Sequence, residues 1–370
     1  DLNDNIFWDK IDNSSVLTGQ GTPGNLAIWV TDSELGDAPV KAGVGTNSLI
    51  YNELTSNFAD GEAANAMGTG TSASGQYSTA MGNGTQAIGI GSTAMGTETT
   101  ASGGVSTAMG TLSTASGSIS TAFGNNTTAS GIISTAMGQS TEAIGNLSTA
   151  MGNDTTASGG ISTAMGDNTT ASGVRSTAMG EATEASANNS TAIGRSTEAS
   201  GDQSFASGNQ TIASGDNSTA LGLNTEASGL YSTVSGNNST ASGSGSVAMG
   251  QSATASGIIS TAFGNATEAS GLGSTAMGQT SEASGTSSTA IGFSNEASGD
   301  GSVSMGSNTT ASGNYSTATG RDTEASGNHS TALNNSTIAS GAASFASGLS
   351  TEASGTSSTA MGNQTTASGN

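Results

Sequence analysis

The chain repeats itself every 14 residues, and the period holds without an insertion from about Phe58 to Asn370. One unit reads Ser78-Thr79-Ala80-Met81-Gly82-Asn83-Gly84-Thr85-Gln86-Ala87-Ile88-Gly89-Ile90-Gly91, two seven-residue halves each centred on Ala-x-Gly. Of the 44 Ala positions between Ala66 and Ala367, only Val234 and Ser304 depart; of the 44 Gly positions between Gly68 and Gly369, only Ala187 and Asn334 do. A fixed period of this kind means like units stacked on one another rather than a globular core. A seven-residue spacing raises the question of a coiled coil, but a Gly every seven residues costs about 1 kcal/mol each in a helix. Collagen needs Gly at every third residue. What remains is an all-β solenoid of 14-residue coils, with short strands and a Gly turn in each half. Gly supplies positive φ without strain and Asn334 is the next most tolerant residue. Ala187 fits poorly, which predicts a local distortion.

Composition agrees. With 57 Gly and 4% aromatics, no core of large side chains can form. Five basic residues against 27 acidic ones give a net charge of −22, which leaves no basic surface for nucleic acid or an anionic membrane. The absence of Cys excludes disulfide scaffolds, zinc ribbons and thiol chemistry. No apolar run reaches membrane-spanning length, so direct membrane insertion of this region is not expected. The chain begins at Asp1 rather than Met and reads as a processed product.

Side-chain direction follows from strand alternation. Thr79 and Met81 share one face and Ala80 takes the other; Gln86 and Ile88 share a face and Ala87 takes the other. The Gln86 position is Glu in nine later coils, so it should face water. The Ala positions then point inward, and two narrow sheets meet through a thin Ala layer. The Met81 position occurs 22 times, is apolar in 18, and holds all twelve Met residues. Its polar occupants are Ser207, Ser235, Thr319 and Ser347. At two of these the bulk has moved two residues earlier on the same face, as Phe205 and Phe345. A continuous apolar stripe outside the Ala interior marks an interface; the alternative is that it forms the chain's own core. Burial of each Met-sized group contributes roughly 1.5–3 kcal/mol. The expected contact between chains is therefore Met81, Met95, Met109, Phe123, Met137, Met151, Met165, Met179, Ile193, Phe205, Leu221, Met249, Phe263, Met277, Ile291, Met305, Phe345 and Met361.

Ser190-Thr191-Ala192-Ile193-Gly194 and Ser246-Val247-Ala248-Met249-Gly250 resemble the head repeat of trimeric autotransporter adhesins of the YadA type. The resemblance covers some 310 residues. It implies a left-handed parallel β-roll, three of which pack around a common axis. It also implies an extracellular or cell-surface fibre that mediates attachment through an unidentified host or matrix ligand. Thr for the usual Val and Met for Ile make this stripe softer and more polar. The family's anchor barrel and stalk are not among these residues.

Residues 1–57 differ from the repeat, with both Trp, both Pro and two of the five basic residues. Gly21-Thr22-Pro23-Gly24-Asn25-Leu26-Ala27-Ile28-Trp29-Val30 and Leu35-Gly36-Asp37-Ala38-Pro39-Val40 resemble a short β module that precedes fibre shafts in phage tail fibres and Bacteroidetes-type secreted fibres. The expected organisation is a β module or connector over 1–57 and a β-roll shaft or head over 58–370. A tail-fibre shaft on a virion, or a self-assembling filament joined end to end, are the alternatives to the adhesin head.

Nothing points to catalysis, and no cofactor or metal is expected. His329 is the one His, in a turn-like Gly-Asn-His-Ser context, and Ser without a positioned base is not a nucleophile. Toxin-type Ca²⁺ solenoids need a regular Asp that this repeat lacks. Glu184/Glu198 and Glu268/Glu282/Glu296 should stack about 5 Å apart on successive coils, as a solvated ladder. Sequons at Asn83, Asn126, Asn153, Asn168, Asn238, Asn308 and Asn363 read as turn residues beside Thr-rich strands. Thr rows of the kind ice-binding surfaces use would here share the Met face and be covered with it. A polysaccharide-processing solenoid would need carboxylates clustered among aromatics in a groove.

Overall fold

The computed structural model describes residues 25–31, 34–42, 49–51 and 57–369, the first three by backbone alone. Every described element is a strand. The strands fall into two units, Asp1–Ser172 and Gly173–Asn370.

Within both units the 14-residue repeat is one coil. A five-residue strand, such as Thr79–Asn83, leads through a turn to a two-residue strand, Gln86–Ala87, and a second turn returns the chain to the next coil. Eight long strands lie in the first unit and 14 in the second. Long strands pair in parallel, residue for residue, with the coil that follows: Thr79 with Thr93, Ala80 with Ala94, Met81 with Met95. Short strands do the same, Gln86 with Thr100 and Ala87 with Ala101. Like therefore stacks on like. The ladder uses Thr79 N–H donating to Ser92 O (2.9 Å) and Gln86 N–H donating to Thr99 O (2.8 Å). In the turns the direction reverses: Gly84 N–H donates back to Thr69 O (2.8 Å) and Gly91 N–H back to Gln76 O (2.7 Å). A left-handed residue produces that reversal, because positive φ swings the N–H to the opposite side of the coil.

The interior follows strand parity and holds more than Ala. Ala80 and Ala87 are fully buried, and so are Ser78 and Thr85, one step along on the same faces. Most coils thus enclose two methyls and two hydroxyl side chains, with Ala253 and Asn295 among the exceptions at the Thr85 position. Some hydroxyls are paired locally: Ser106 Oγ donates to Gly103 O at 2.7 Å and Thr127 Oγ1 to Ser113 Oγ at 2.9 Å. Others, Thr85 and Ser92 among them, have no partner, and each such group costs free energy. The two exceptions among the Ala positions stay inside. Val234 is fully buried. Ser304 donates to Thr309 O (2.8 Å) and sits 2.6 Å from Thr309 Oγ1. Thr309 in turn donates through Oγ1 (2.8 Å) and N–H (3.0 Å) to Asn295 Oδ1, and Asn295 Nδ2 donates to Ile291 O and Gly306 O. A polar substitution in the core is accompanied by an amide one coil earlier.

The glycines correct the expectation of a Gly turn in each half. Gly82 lies inside the long strand at φ 131°, and a Cβ there would sit 1.9 Å from Gly96 O. Gly89 has ordinary φ, yet its Cβ would also meet the next coil, at 1.9 Å from Gly103 O. Both positions are glycine chiefly because stacked backbones leave no room. The left-handed turn positions are others, those of Gly84 and Gly91, and across the coils they are filled mostly by non-glycine residues. Asn334 occupies a Gly82-type position by closing φ to 88°. Ala187 produces the expected distortion. In the other described coils the Gly89-type N–H donates to the Ala two positions before its own equivalent in the next coil, as Gly173 does to Ala185 O and Gly201 to Ala213 O (both 3.2 Å). Ala187 N–H makes no such bond among the described residues.

The segment ahead of the coils pairs with them. Asn25–Thr31 and Glu34–Ala42 form an antiparallel hairpin, and Leu49–Tyr51 pairs antiparallel with the second of these. Leu49–Tyr51 also runs parallel to the first long strand, Leu49 opposite Asn65 and Tyr51 opposite Met67. The first coil's edge, which would otherwise present unpaired N–H and C=O groups, is covered there.

Candidate assembly surface

The face carrying Thr79 and Met81 is the outer face of the long-strand sheet. It is not the chain's own core, which lies on the other side of the strand. Met81, Met95, Met109, Met137, Met151, Met165, Met179, Ile193, Leu221, Met249 and Met277 are half-buried by their neighbours in the row alone. Phe123, Ile291 and Met305 are exposed, Phe263 is 51% exposed, and Met361, in the last coil, is 65% exposed. In-register pairing turns these positions into one row: Met137 lies opposite Met151, and Met151 opposite Met165. Phe205 stands between Thr191 and Thr219, and Ser207 between Ile193 and Leu221, so the exchange keeps bulk on this face. Phe345 and Ser347 repeat it beside Thr359 and Met361.

The short-strand face is different in character. Glu142, Glu184, Glu226, Glu268, Glu282, Glu296, Glu324 and Glu352 are exposed there and Glu198 is half-buried. Register stacks Glu268 on Glu282 and Glu282 on Glu296. Glu282 therefore holds its proton to higher pH than an ordinary carboxyl: partial burial disfavours its charge, and the two flanking carboxylates add repulsion.

The two turns also differ. Asn83-Gly84 and its equivalents are polar almost throughout, with side-chain ladders such as Asn224 Nδ2 to Asn238 Oδ1 (2.6 Å). At the turn of Ile90-Gly91 the polar coils build a second ladder, in which Asp202 Oδ1 accepts Asn188 N–H (3.2 Å) and Asp216 Oδ1 accepts Asp202 N–H (3.0 Å). His329 occupies this turn at φ 60° and stacks on Tyr315, ring centroids 5.2 Å apart. Among the described residues no three His, Cys, Asp or Glu gather in a metal-binding group, and no helix is long and apolar enough to cross a membrane.

Strand parity thus located the row correctly. It went unread for Ser78 and Thr85, although the same alternation puts them inside. The left-handed turn residues were missed because no residue type marks them.

An in-register parallel β-solenoid with one apolar outer face and one acidic one belongs to the class of repeat-built β proteins, in which like coils stack on like. A family model, the YadA head domain repeat (2 copies), matches in fourteen overlapping or adjoining segments between residues 59 and 333 and in a fifteenth over 353–370. The chain belongs to the family of YadA-type head-repeat proteins, a family of structural adhesins. No curated protein matches it.

Proposed function

We propose that this chain is one subunit of a homotrimeric extracellular fibre that projects an attachment surface, with the Met81-type row as the contact between subunits. The observation that carries this reading is the row itself: large apolar side chains at 18 of 22 equivalent positions, on a face the chain does not cover. Burial of such groups contributes roughly 1.5–3 kcal/mol each, far more than the interior methyls supply. Membership of the family supports three chains around one axis. The Glu-bearing short-strand face would then point to water, and mutual repulsion would keep fibres apart in solution. Attachment is a surface property in this reading, and no enzyme chemistry is assigned.

The test is mass in solution. The wild-type chain should sediment as a trimer. Replacing Met137, Met151 and Met165 with Asp should prevent assembly, because three adjacent unpaired charges would be buried in every subunit. A folded wild-type monomer, or a triple variant that still forms the wild-type oligomer, would overturn the reading.

A further inference from the structure

The second turn of the coil carries an apolar row that the trimer reading does not use. Tyr77, Val105, Ile119, Ile133, Leu147 and Ile161 occupy the same position of this turn in the first unit and are 48% to 64% exposed. All six have left-handed backbone, with φ between 56° and 61°. The one coil between them with Gly91 at this position places Ile90 beside it, also exposed. For a β-branched residue that conformation is an outlier that strains the chain, whereas Asn and Gly adopt it readily. Polar coils of the second unit use Asn189 and Asn217 at the same position. Their neighbours Asn188, Asp202 and Asp216 accept backbone N–H groups or extend the ladder. The first unit gives up the favoured left-handed residues, keeps the ladder only where Asn146 Oδ1 accepts Ile132 N–H (2.9 Å), and leaves the side chains it places there exposed among the described residues.

This turn is not the row proposed above as the contact at the trimer axis. A position against the trimer axis would be apolar in nearly every coil, as the Met81 position is. Here the second unit inserts Asn188-Asn189, Asp202-Gln203, Asp216-Asn217 and Asn328-His329. In the first unit these side chains form an exposed apolar edge separate from the Met81 row; in the second the same turn alternates polar residues with Tyr231, Ile259 and Tyr315.

Charge identifies what covers it. Between Ala63 and Thr141 the chain has a single charged side chain, Glu98, and that residue lies at the other turn. Two chains of net charge −22 repel each other along most of their length but not here. The row also repeats at the coil spacing of about 4.8 Å, a period matched along its whole length by another copy of the same row. We propose that this edge is a lateral docking surface for a second copy of the fibre, the rows interdigitating as like side chains do in packed sheets. The proposal does not depend on how many chains form one fibre.

The experiment is sedimentation of the full chain over a range of concentration and salt, for wild type and for Val105→Asn/Ile119→Asn/Ile133→Asn. Asn suits the left-handed backbone, so this variant should keep the wild-type dilute-limit mass and melt no lower than wild type. Wild type should double in mass as concentration rises, and added salt should strengthen pairing by screening the acidic coils. The variant should pair at least about a hundredfold more weakly. A wild type of constant mass at every concentration and salt would overturn the proposal and leave the edge to a different partner. Equal pairing by the variant would overturn it too. The dilute-limit mass separately tests the trimer, so failure of one reading is distinguishable from failure of the other.

Discussion

Two glycine positions that look alike in the repeat are held for different reasons. Gly89-type positions need only clearance from the next coil, whereas Gly82-type positions need clearance and a φ that L-residues rarely adopt. Ala187 shows what the first kind of violation does: one backbone hydrogen bond is lost and the coil otherwise persists. A Gly89→Ala variant should therefore cost about 1–2 kcal/mol, the scale of one lost bond plus local displacement. Gly82→Ala should cost clearly more, roughly 3 kcal/mol or above, since strain at φ 131° adds to the collision. Thermal melting of the two variants side by side checks the order. Equal shifts would mean that clearance alone matters. Conversely, Ala187→Gly should raise the melting temperature by restoring the bond to Ala199.

At the scale of an element, in-register stacking multiplies whatever one position carries. It makes a row of Met into a stripe, and it makes a Glu position into a column of repelling carboxylates. Glu282, between Glu268 and Glu296, binds its proton more tightly folded than unfolded. The sign of the linkage follows: the folded state holds more protons, so stability is fullest below the ordinary carboxyl pKa and falls as pH rises towards the raised folded value. Melting of the chain should accordingly shift down as pH rises above the ordinary carboxyl range, and the part due to the flanking carboxylates should be reduced by salt. Glu282→Gln should flatten that part of the profile and raise the melting temperature at pH 7. A profile unchanged by the substitution would show that the column is not under strain. The buried Asn295–Thr309–Ser304 chain gives a second contrast. Ser304→Ala restores the usual residue and leaves Thr309 bonded to Asn295, so it should change stability by less than about 1 kcal/mol. Asn295→Ala strips partners from Ile291, Gly306 and Thr309 together and should cost about 1–3 kcal/mol.

For the whole molecule, the coil is the unit that can be added or removed. Stability in a stacked repeat is close to a sum of unit and neighbour contributions. Deleting residues 121–134, one full coil of the first unit, should leave strand content, subunit mass and cooperative melting close to wild type. Deleting seven residues, 121–127, should not be tolerated. It would set a two-residue strand against five-residue ones, bring Gln86-type positions into the Thr79 row and put Ile88-type residues such as Ser130 into the Met row. Circular dichroism and sedimentation of the two deletions decide this. Comparable folding of both would mean that the halves are interchangeable and that the unit is seven residues, not 14.

Much of this architecture was legible in the order of residues alone. An uninterrupted 14-residue period admits only a coil of 14, and strand alternation assigns Ala80 and Ala87 to the inside and Met81 to the outside without any knowledge of packing. Those inferences are local: they need one period and one parity. What the sequence could not disclose depends on the distance between one coil and the next. That distance makes Gly89 obligatory although its φ is ordinary, and the packing of the short-strand face supplies the partial burial that, ahead of the expected stacking on Glu268 and Glu296, raises the proton affinity of Glu282. The left-handed turns were hidden for a related reason. Val105, Ile119 and Ile133 adopt positive φ against their own preference, because the reversed N–H must reach the preceding coil. Only the stacked structure supplies that constraint, and only it reveals that these side chains are held, under strain, with about half or more of their surface exposed.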